Sequence, residues 1–193
     1  MSVTLALSKG RLLPGAQALF QRAGLPFPQD EGRRLVVTLD GLRFLFVKDM
    51  DVPTYVEYGA ADIGIAGRDV LLETSADVLQ PLDLKFGYCR IAVAGPKGTP
   101  PLNGAPAMRI ATKYPRITID YYNARGIPVE IIPLSGSIEL APLIGLADRI
   151  VDIVETGQTL KENGLEVLEV ITETTARLLI NRAGYQTKRE EVR

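Results

Sequence analysis

Short apolar segments alternate with segments of helical periodicity along most of this sequence. Residues 3–9 have the composition of a buried strand, and leucine and phenylalanine recur at helical spacing between residues 12 and 20. An Asp40-Gly41 dipeptide between two apolar runs predicts a tight hairpin, and Ser137 is expected to cap a helix within residues 135–147. Strands that alternate with helices favour an α/β fold with mostly parallel sheets.

A weak internal repeat favours two folding units. A Gly-x-Ala-Asp unit that starts at Gly59 recurs at Gly145, and each copy stands between a predicted helix and an apolar strand. Duplication and chance both explain such a repeat, because this is a common way for a chain to leave a helix. Similar units at half-chain separation predict two lobes, which we expect to comprise residues 1–89 with 176–193 and residues 90–175, with a ligand cleft between them.

The composition excludes several classes of site. Lys and Arg number 22 against 23 Asp and Glu, and this near-balance argues against a dedicated binder of nucleic acid or acidic membranes. The chain has no histidine, which removes Ser-His-Asp and Cys-His catalysis and histidine-based metal sites. Cys89 is the only cysteine, and neither an export signal nor an apolar stretch of about 18 residues is found, so we expect a cytoplasmic protein without a membrane span.

The loop after the apolar run 149–154 is rich in small and hydroxyl residues. It consists of Glu155, Thr156, Gly157, Gln158 and Thr159, called the 155–159 bend below. Thr159 and Glu162 match a capping box, and Asn163-Gly164 predicts that the helix ends after about one turn. Backbone N–H groups, two hydroxyls and a glycine also suit a phosphate, so the bend is either an anion site or an ordinary capped corner.

Five segments of the sequence together carry a family resemblance: LSKGRL (7–12), DVPTYVEYGAADIGIAGRD (51–69), RIATKYP (109–115), LSGSIELAPLIGLAD (134–148) and DIVETGQTLKENGLEVLEVI (152–171). They resemble ATP phosphoribosyltransferase, the enzyme that opens histidine biosynthesis. The segments occur in the order expected for the family and cover essentially the whole chain. The resemblance implies a periplasmic-binding-protein-like (type II) fold of two lobes with substrates in the cleft between them.

The same resemblance implies an activity, a cofactor and a partner. The reaction would be that of a glycosyltransferase (pentosyltransferase) that joins N1 of ATP to C1 of the ribose in 5-phosphoribosyl 1-pyrophosphate (PRPP) and releases pyrophosphate. Mg²⁺ would be held mainly by the substrate, and no protein ligand is firmly assigned to it. Few residues follow the last segment, so the chain resembles the short form of the family, which has no C-terminal regulatory domain. That form implies a separate regulatory subunit resembling a histidyl-tRNA synthetase, in a hetero-oligomer with a homodimeric catalytic core.

The resemblance assigns the 155–159 bend to the 5-phosphate of PRPP. Asp152 would then contact the ribose hydroxyls, unless it only caps a neighbouring strand end. Glu139 is expected to be a second acid at the ribose or the metal, unless it merely complements the dipole of its own helix. Lys9 completes the predicted catalytic set, because its charge at the end of the first strand suits pyrophosphate or triphosphate.

Five further residues are predicted to bind ATP: Gly10, Arg11, Lys48, Asp69 and Tyr114. The first two follow the first strand and are otherwise part of a solvated strand end. Lys48 stands where many family members have Arg, so it keeps the charge and loses the bidentate geometry. Tyr114 either stacks on a nucleotide or is a partly buried aromatic residue before a proline.

Two other functions are compatible with these features. A two-lobed binding module without catalysis would have the same fold, and a phosphoribosyltransferase for another base would have the same phosphate loop. An assay of turnover, with ATP and other bases as acceptors, discriminates among the three.

Overall fold

The chain divides into two compact units in the computed structural model, which describes residues 3–29, 32–98 and 107–187. Unit 1 comprises residues 1–88 and 175–193, and unit 2 comprises residues 89–174. Each boundary lies one residue before the position that we predicted. Each unit contains one sheet with helices between its parallel strands, which confirms the α/β class.

The elements follow one another in an alternating order along the chain. They are β1 (Val3–Ser8), α1 (Leu13–Arg22), β2 (Val36–Leu39), β3 (Leu42–Val47), α2 (Val52–Glu57), β4 (Ile63–Gly67), α3 (Arg68–Thr74), β5 (Leu79–Asp83), β6 (Cys89–Pro96), β7 (Met108–Thr112), α4 (Pro115–Asn123), β8 (Val129–Pro133), α5 (Leu140–Leu143), β9 (Arg149–Val154), α6 (Gln158–Glu162), β10 (Leu165–Thr174), β11 (Ala176–Ile180) and α7 (Arg182–Thr187). A single 3₁₀ turn, Asp49–Asp51, precedes α2. None of the helices in these described ranges is long and apolar enough to cross a bilayer.

Five strands of the first sheet have the same arrangement as the five strands of the second. Unit 1 has the order β2-β3-β1-β4-β11-β5 and unit 2 has the order β10-β6-β9-β7-β8. In both, three neighbouring strands are parallel (β3-β1-β4 and β8-β7-β9), and an antiparallel strand (β11 or β6) pairs with the outer side of the last one. Helices cover parallel strands on both faces, which explains why these strands are continuous apolar runs in the sequence.

The internal repeat has the same local structure in both units. The backbone N–H of Thr4 donates to the carboxylate of Asp62 at 2.9 Å, and the N–H of Asp62 donates back to the Thr4 carbonyl at 2.8 Å. Arg109 and Asp148 make the same reciprocal pair, with both distances 2.9 Å. The glycine before each aspartate has a φ of 72°. Each copy therefore ties the start of one parallel strand to the start of its neighbour.

Each unit has its own apolar core around the central strands. In unit 1 the rings of Phe20, Phe27 and Phe44 pack against one another, with centroids 5.4 to 5.8 Å apart. In unit 2 the side chains of Ile110 and Ile150 are completely buried on adjacent strands. These clusters fix the positions of the central strands, and the candidate site residues lie at the ends of those strands.

Two local features differ from what the sequence indicated. Ser137 does not cap a helix, because its φ of 50° places it in the left-handed region, whereas an N-cap has an extended backbone. Helix α5 begins only after Glu139 and spans four residues. Strand β5 was not predicted, because most of its side chains are exposed and it contains Pro81; its pairing with β11 alone makes it an edge strand.

Gly64 in β4 is expected to be intolerant of a side chain. A Cβ at this position would lie 2.7 Å from Val56 Cγ2 and 3.1 Å from Val52 Cγ1, both in α2. Gly64→Ala should therefore lower the free energy of unfolding by about 1–3 kcal/mol through overpacking. Gly136→Ala is the control, since a Cβ there meets no atom within 4 Å. Urea unfolding measures the stability of both variants. Equal midpoints would show that α2 can move away from the new methyl group without loss of stability.

Candidate active site

Most of the predicted residues of unit 2 lie at one edge of its sheet. Because β8, β7 and β9 are parallel neighbours, their carboxyl ends meet at the same edge. Lys113 follows β7, Glu139 lies in the connection after β8, and Asp152 and the 155–159 bend lie at the end of β9. We call this group the carboxylate edge. Ligands of α/β sheets bind outside the carboxyl ends of such strands.

Asp152 is the residue with the most perturbed environment at this edge. Its carboxyl group accepts a hydrogen bond from the Ile153 N–H at 2.8 Å. Burial raises the pKa of Asp152 to about 6, and the negative charge of Glu139 acts in the same direction. The Ile153 hydrogen bond and the positive charge of Lys113 oppose that increase. The structure therefore brings Glu139 and Lys113 close enough to Asp152 for their charges to act on its carboxyl group.

Lys113 was not identified from the sequence. In its segment, RIATKYP, only the neighbouring aromatic residue Tyr114 was predicted to belong to the site. Periodicity gives no signal for this lysine, because a single charge after a strand is typical of a solvated strand end. Its proximity to Asp152 depends on which strand lies beside β7, and this is a property of the tertiary structure.

The 155–159 bend begins its helix differently from the prediction. Gly157, with φ 79° and ψ 6°, is the residue before α6, and no side chain caps the helix. Thr159 lies inside α6, so the predicted capping box is wrong. Gln158 Nε2 donates to Glu162 Oε1 at 2.7 Å instead, and Thr156 Oγ1 accepts from the Gln158 N–H at 3.3 Å. The left-handed glycine starts the helix two residues earlier than the sequence indicated. The predicted end after about one turn is confirmed.

The 155–159 bend is largely exposed to solvent. Four of its five residues are exposed, and a Cβ on Gly157 would have Val154 Cγ1, at 3.7 Å, as its only neighbour within 4 Å. The hydrogen bonds between described residues provide no protein acceptor for the N–H groups of Gly157 and Leu160. Helix α6 has only five residues, so these local donors matter more than a helix dipole.

Lys9 and Arg11 occupy the end of β1 in unit 1. Lys9 Nζ donates to the Gly32 carbonyl at 2.6 Å and lies 5.2 Å from the centroid of the Phe46 ring. Arg11 Nη1 donates to the Gly87 carbonyl at 2.6 Å, and its Nη2 lies 4.0 Å from the Asp69 carboxylate. The residue between the two cations, Gly10, is exposed.

The remaining predicted residues differ strongly in exposure. Lys48 is exposed beside the 3₁₀ turn after β3. Asp69 is 1% exposed, so its carboxylate is placed to hold Arg11 rather than to meet a nucleotide directly. Tyr114 is 0% exposed, within the core of unit 2. A completely buried ring offers no face to adenine, which favours the core role that the sequence left as the alternative.

Asp152 should lower the stability of the folded protein at neutral pH. Stability from the protonated carboxyl is present below the ordinary aspartate pKa of 3.8 and is lost as the pH rises through about 6. Asp152→Asn avoids this loss and should raise the free energy of unfolding by about 2 kcal/mol near pH 7.5, and by much less near pH 4. Denaturant unfolding at both pH values tests this, with the exposed Asp120→Asn as control. A gain of equal size at both pH values would contradict it.

The comparisons with known proteins agree with one another. The family model described as HisG, ATP phosphoribosyltransferase, matches residues 48–193. A protein of that name from Caldicellulosiruptor saccharolyticus is 56% identical over 194 residues, which is 97% of this chain and 93% of the relative. Another, from Sorangium cellulosum, is 51% identical over 197 residues, 99% of this chain and 91% of the relative.

A solved structure extends the agreement to the fold. It belongs to the ATP phosphoribosyl transferase (HisG:HisZ) complex from Thermotoga maritima, with a TM-score of 0.87 and 42% identity. The match covers 98% of this chain and 92% of that one. The expected type II periplasmic-binding-protein-like fold is thereby confirmed. This chain belongs to the ATP phosphoribosyltransferase family, whose reaction is the first step of histidine biosynthesis.

Proposed function

We propose that the carboxylate edge of unit 2 is the PRPP site of this transferase. The observation that carries the proposal is the 155–159 bend, which is largely exposed, is left-handed at Gly157 and has only Val154 Cγ1 within 4 Å of a Cβ at that glycine. In this role the N–H groups and hydroxyls of the bend bind the 5-phosphate. Glycine lets a phosphate oxygen approach the backbone where a Cβ would interfere.

Asp152 is proposed to contact the ribose hydroxyls, with Glu139 as the second acid. The bond between C1 and pyrophosphate breaks as the bond to N1 of ATP forms, so positive charge develops on the ribose. A fixed carboxylate near that charge stabilises the transition state by electrostatics. With a pKa of about 6, Asp152 is mostly ionised at neutral pH. No strong base and no covalent nucleophile are required, which suits a chain without histidine.

Lys9, Gly10, Arg11 and Lys48 remain proposed contacts for the phosphates of ATP or for pyrophosphate. Lys9 and Arg11 each already donate to a backbone carbonyl, which holds their charges at the end of β1. We assign Asp69 the role of orienting Arg11 through their 4.0 Å ion pair. Tyr114 is not part of this proposal, because its ring is buried.

Mg²⁺ is proposed as the metal of the reaction. The described residues contain no group of three or more His, Cys, Asp or Glu side chains that could hold a metal ion. An ion would therefore take most of its ligands from the oxygen atoms of PRPP, which suits Mg²⁺, since it favours phosphate oxygens and water. Bound Mg²⁺ would supply positive charge to offset the negative charge of the departing pyrophosphate.

We further propose that the chain works with a separate regulatory subunit around a homodimeric catalytic core. The support is the Thermotoga maritima structure, which is a complex of two different proteins and whose matching chain is covered over 92% of its length. A cytoplasmic location is proposed with it, because a single buried cysteine suits a reducing compartment.

An acceptor assay tests the activity and its specificity together. The purified chain is mixed with PRPP, Mg²⁺ and ATP, with and without the candidate regulatory subunit, and phosphoribosyl-ATP and pyrophosphate are quantified. Parallel reactions replace ATP with adenine or orotate. We expect product with ATP only. PRPP binding without turnover under both conditions would favour the binding module, and product with another base would favour a different transferase.

A further inference from the structure

The register of the unit 2 sheet places Lys113 beside Asp152. On the parallel strands β7 and β9, Ala111 is aligned with Ile150 and Thr112 with Val151. Lys113 follows directly after β7, and Asp152 is the next residue of β9. Aligned residues of parallel strands project their side chains from the same face of a sheet. Lys113 and Asp152 are therefore neighbours by topology, in agreement with the effect of the lysine charge on the Asp152 carboxyl.

The backbone on both sides of Lys113 is held in place. The Thr112 hydroxyl donates to the Val151 carbonyl at 2.7 Å and accepts from the Tyr114 N–H at 2.8 Å, and both bonds are buried. The Tyr114 ring beyond it is completely buried. A residue between two such anchors has little backbone freedom, which is the arrangement expected of a preorganised site.

The negative charges at the carboxylate edge would make a nearby cation favourable for the binding of PRPP. PRPP carries a phosphate and a pyrophosphate, and in our proposal its ribose meets the carboxylates of Asp152 and Glu139. Like charges at short range oppose such an approach in a partly buried site. Of the two charged side chains that act on Asp152, Glu139 is negative and Lys113 is positive.

We propose that Lys113 is a positioning residue of the phosphoribosyl site. Its ammonium group offsets the two carboxylates, which lets PRPP approach and keeps the Asp152 carboxylate directed at the ribose. This inference rests on the proposed binding of PRPP at the carboxylate edge. It assigns a role to a residue that neither motif spacing nor helix capping singles out.

Charge-deletion and charge-retention variants test the role. Lys113→Met should raise the Kd for PRPP about tenfold, as measured by calorimetry. It should lower kcat/KM for PRPP by at least the same factor. The KM for ATP should change less than about twofold, because the binding of ATP is not expected to depend on the charge of Lys113. Lys113→Arg should retain most of the PRPP affinity. Lys97→Met is the matched control, since Lys97 is exposed and follows β6, which ends at the opposite edge of the same sheet.

A double-mutant cycle separates an electrostatic role from a merely structural one. In a Glu139→Gln background, Lys113→Met should cost clearly less PRPP affinity than in the wild type, because one of the two opposing charges is gone. The thermal unfolding temperature of Lys113→Met should stay near the wild-type value. Strictly additive losses, an arginine variant as weak as the methionine variant, or wild-type affinity in Lys113→Met would each overturn the proposal. A wild-type protein that fails to bind PRPP would instead overturn the proposed site itself.

Discussion

Asp152→Asn is expected to lower kcat by about 10²- to 10³-fold while the affinity for ATP changes little. The carboxylate is proposed to face the ribose, where positive charge develops only in the transition state, and removal of one such electrostatic group costs factors of this size. Asparagine has nearly the same shape and can still accept the hydrogen bond from the Ile153 N–H, so the local structure should persist. Steady-state kinetics and calorimetry with ATP provide the two measurements.

Asp120→Asn is the matched control for this experiment. Asp120 is an exposed aspartate on α4 of the same unit, 4.0 Å from Arg116. Its replacement by asparagine should leave both kcat and the free energy of unfolding unchanged. Normal turnover of Asp152→Asn would remove this acid from the site and return it to the role of a strand-end aspartate. A variant that is more stable at neutral pH and yet much less active would show that the fold tolerates an unfavourable buried charge for the sake of catalysis.

Gly157→Val is expected to weaken PRPP binding by at least about 30-fold, or roughly 2 kcal/mol. The branched side chain would fill the open space above the glycine, where the 5-phosphate is proposed to lie. It would also destabilise the fold by about 1–2 kcal/mol, because valine is strained at the φ of 79° found here. Calorimetric titration with PRPP measures the affinity, and urea unfolding measures the strain.

Gly126→Val is the control that separates the effect of backbone strain from the effect of blocking the proposed phosphate site. Gly126 has a φ of 66°, and a Cβ there meets no atom within 4 Å, but it follows α4 rather than a strand end. The two variants should lose similar stability, and only Gly157→Val should lose PRPP affinity. Equal PRPP affinity in both variants would place the 5-phosphate elsewhere.

The sequence predicted well those elements that carry a clear pattern in their own residues. Strands β1, β4 and β9 are short apolar runs, and the hairpin between β2 and β3 follows from Asp40-Gly41. Strand β5 was missed because its residues carry no such pattern, and only β11 makes it a strand. Helix starts were less predictable, since a left-handed Gly157 or Ser137 changes the cap without changing the helical composition.

For the candidate site, the order of the strands determined which residues lie close together, and the sequence motifs alone did not show this. The sequence by itself determined the α/β class, the membership of a transferase family and the 155–159 bend, because each of these depends on residues close together in the chain. Only the tertiary structure decided that the charges of Lys113 and Glu139 act on Asp152 while Tyr114, the neighbour of Lys113, lies in the core. The physical reason is register: residues 39 positions apart, Thr112 and Val151, align on neighbouring strands, and that alignment determines which side chains of the next positions meet at the edge.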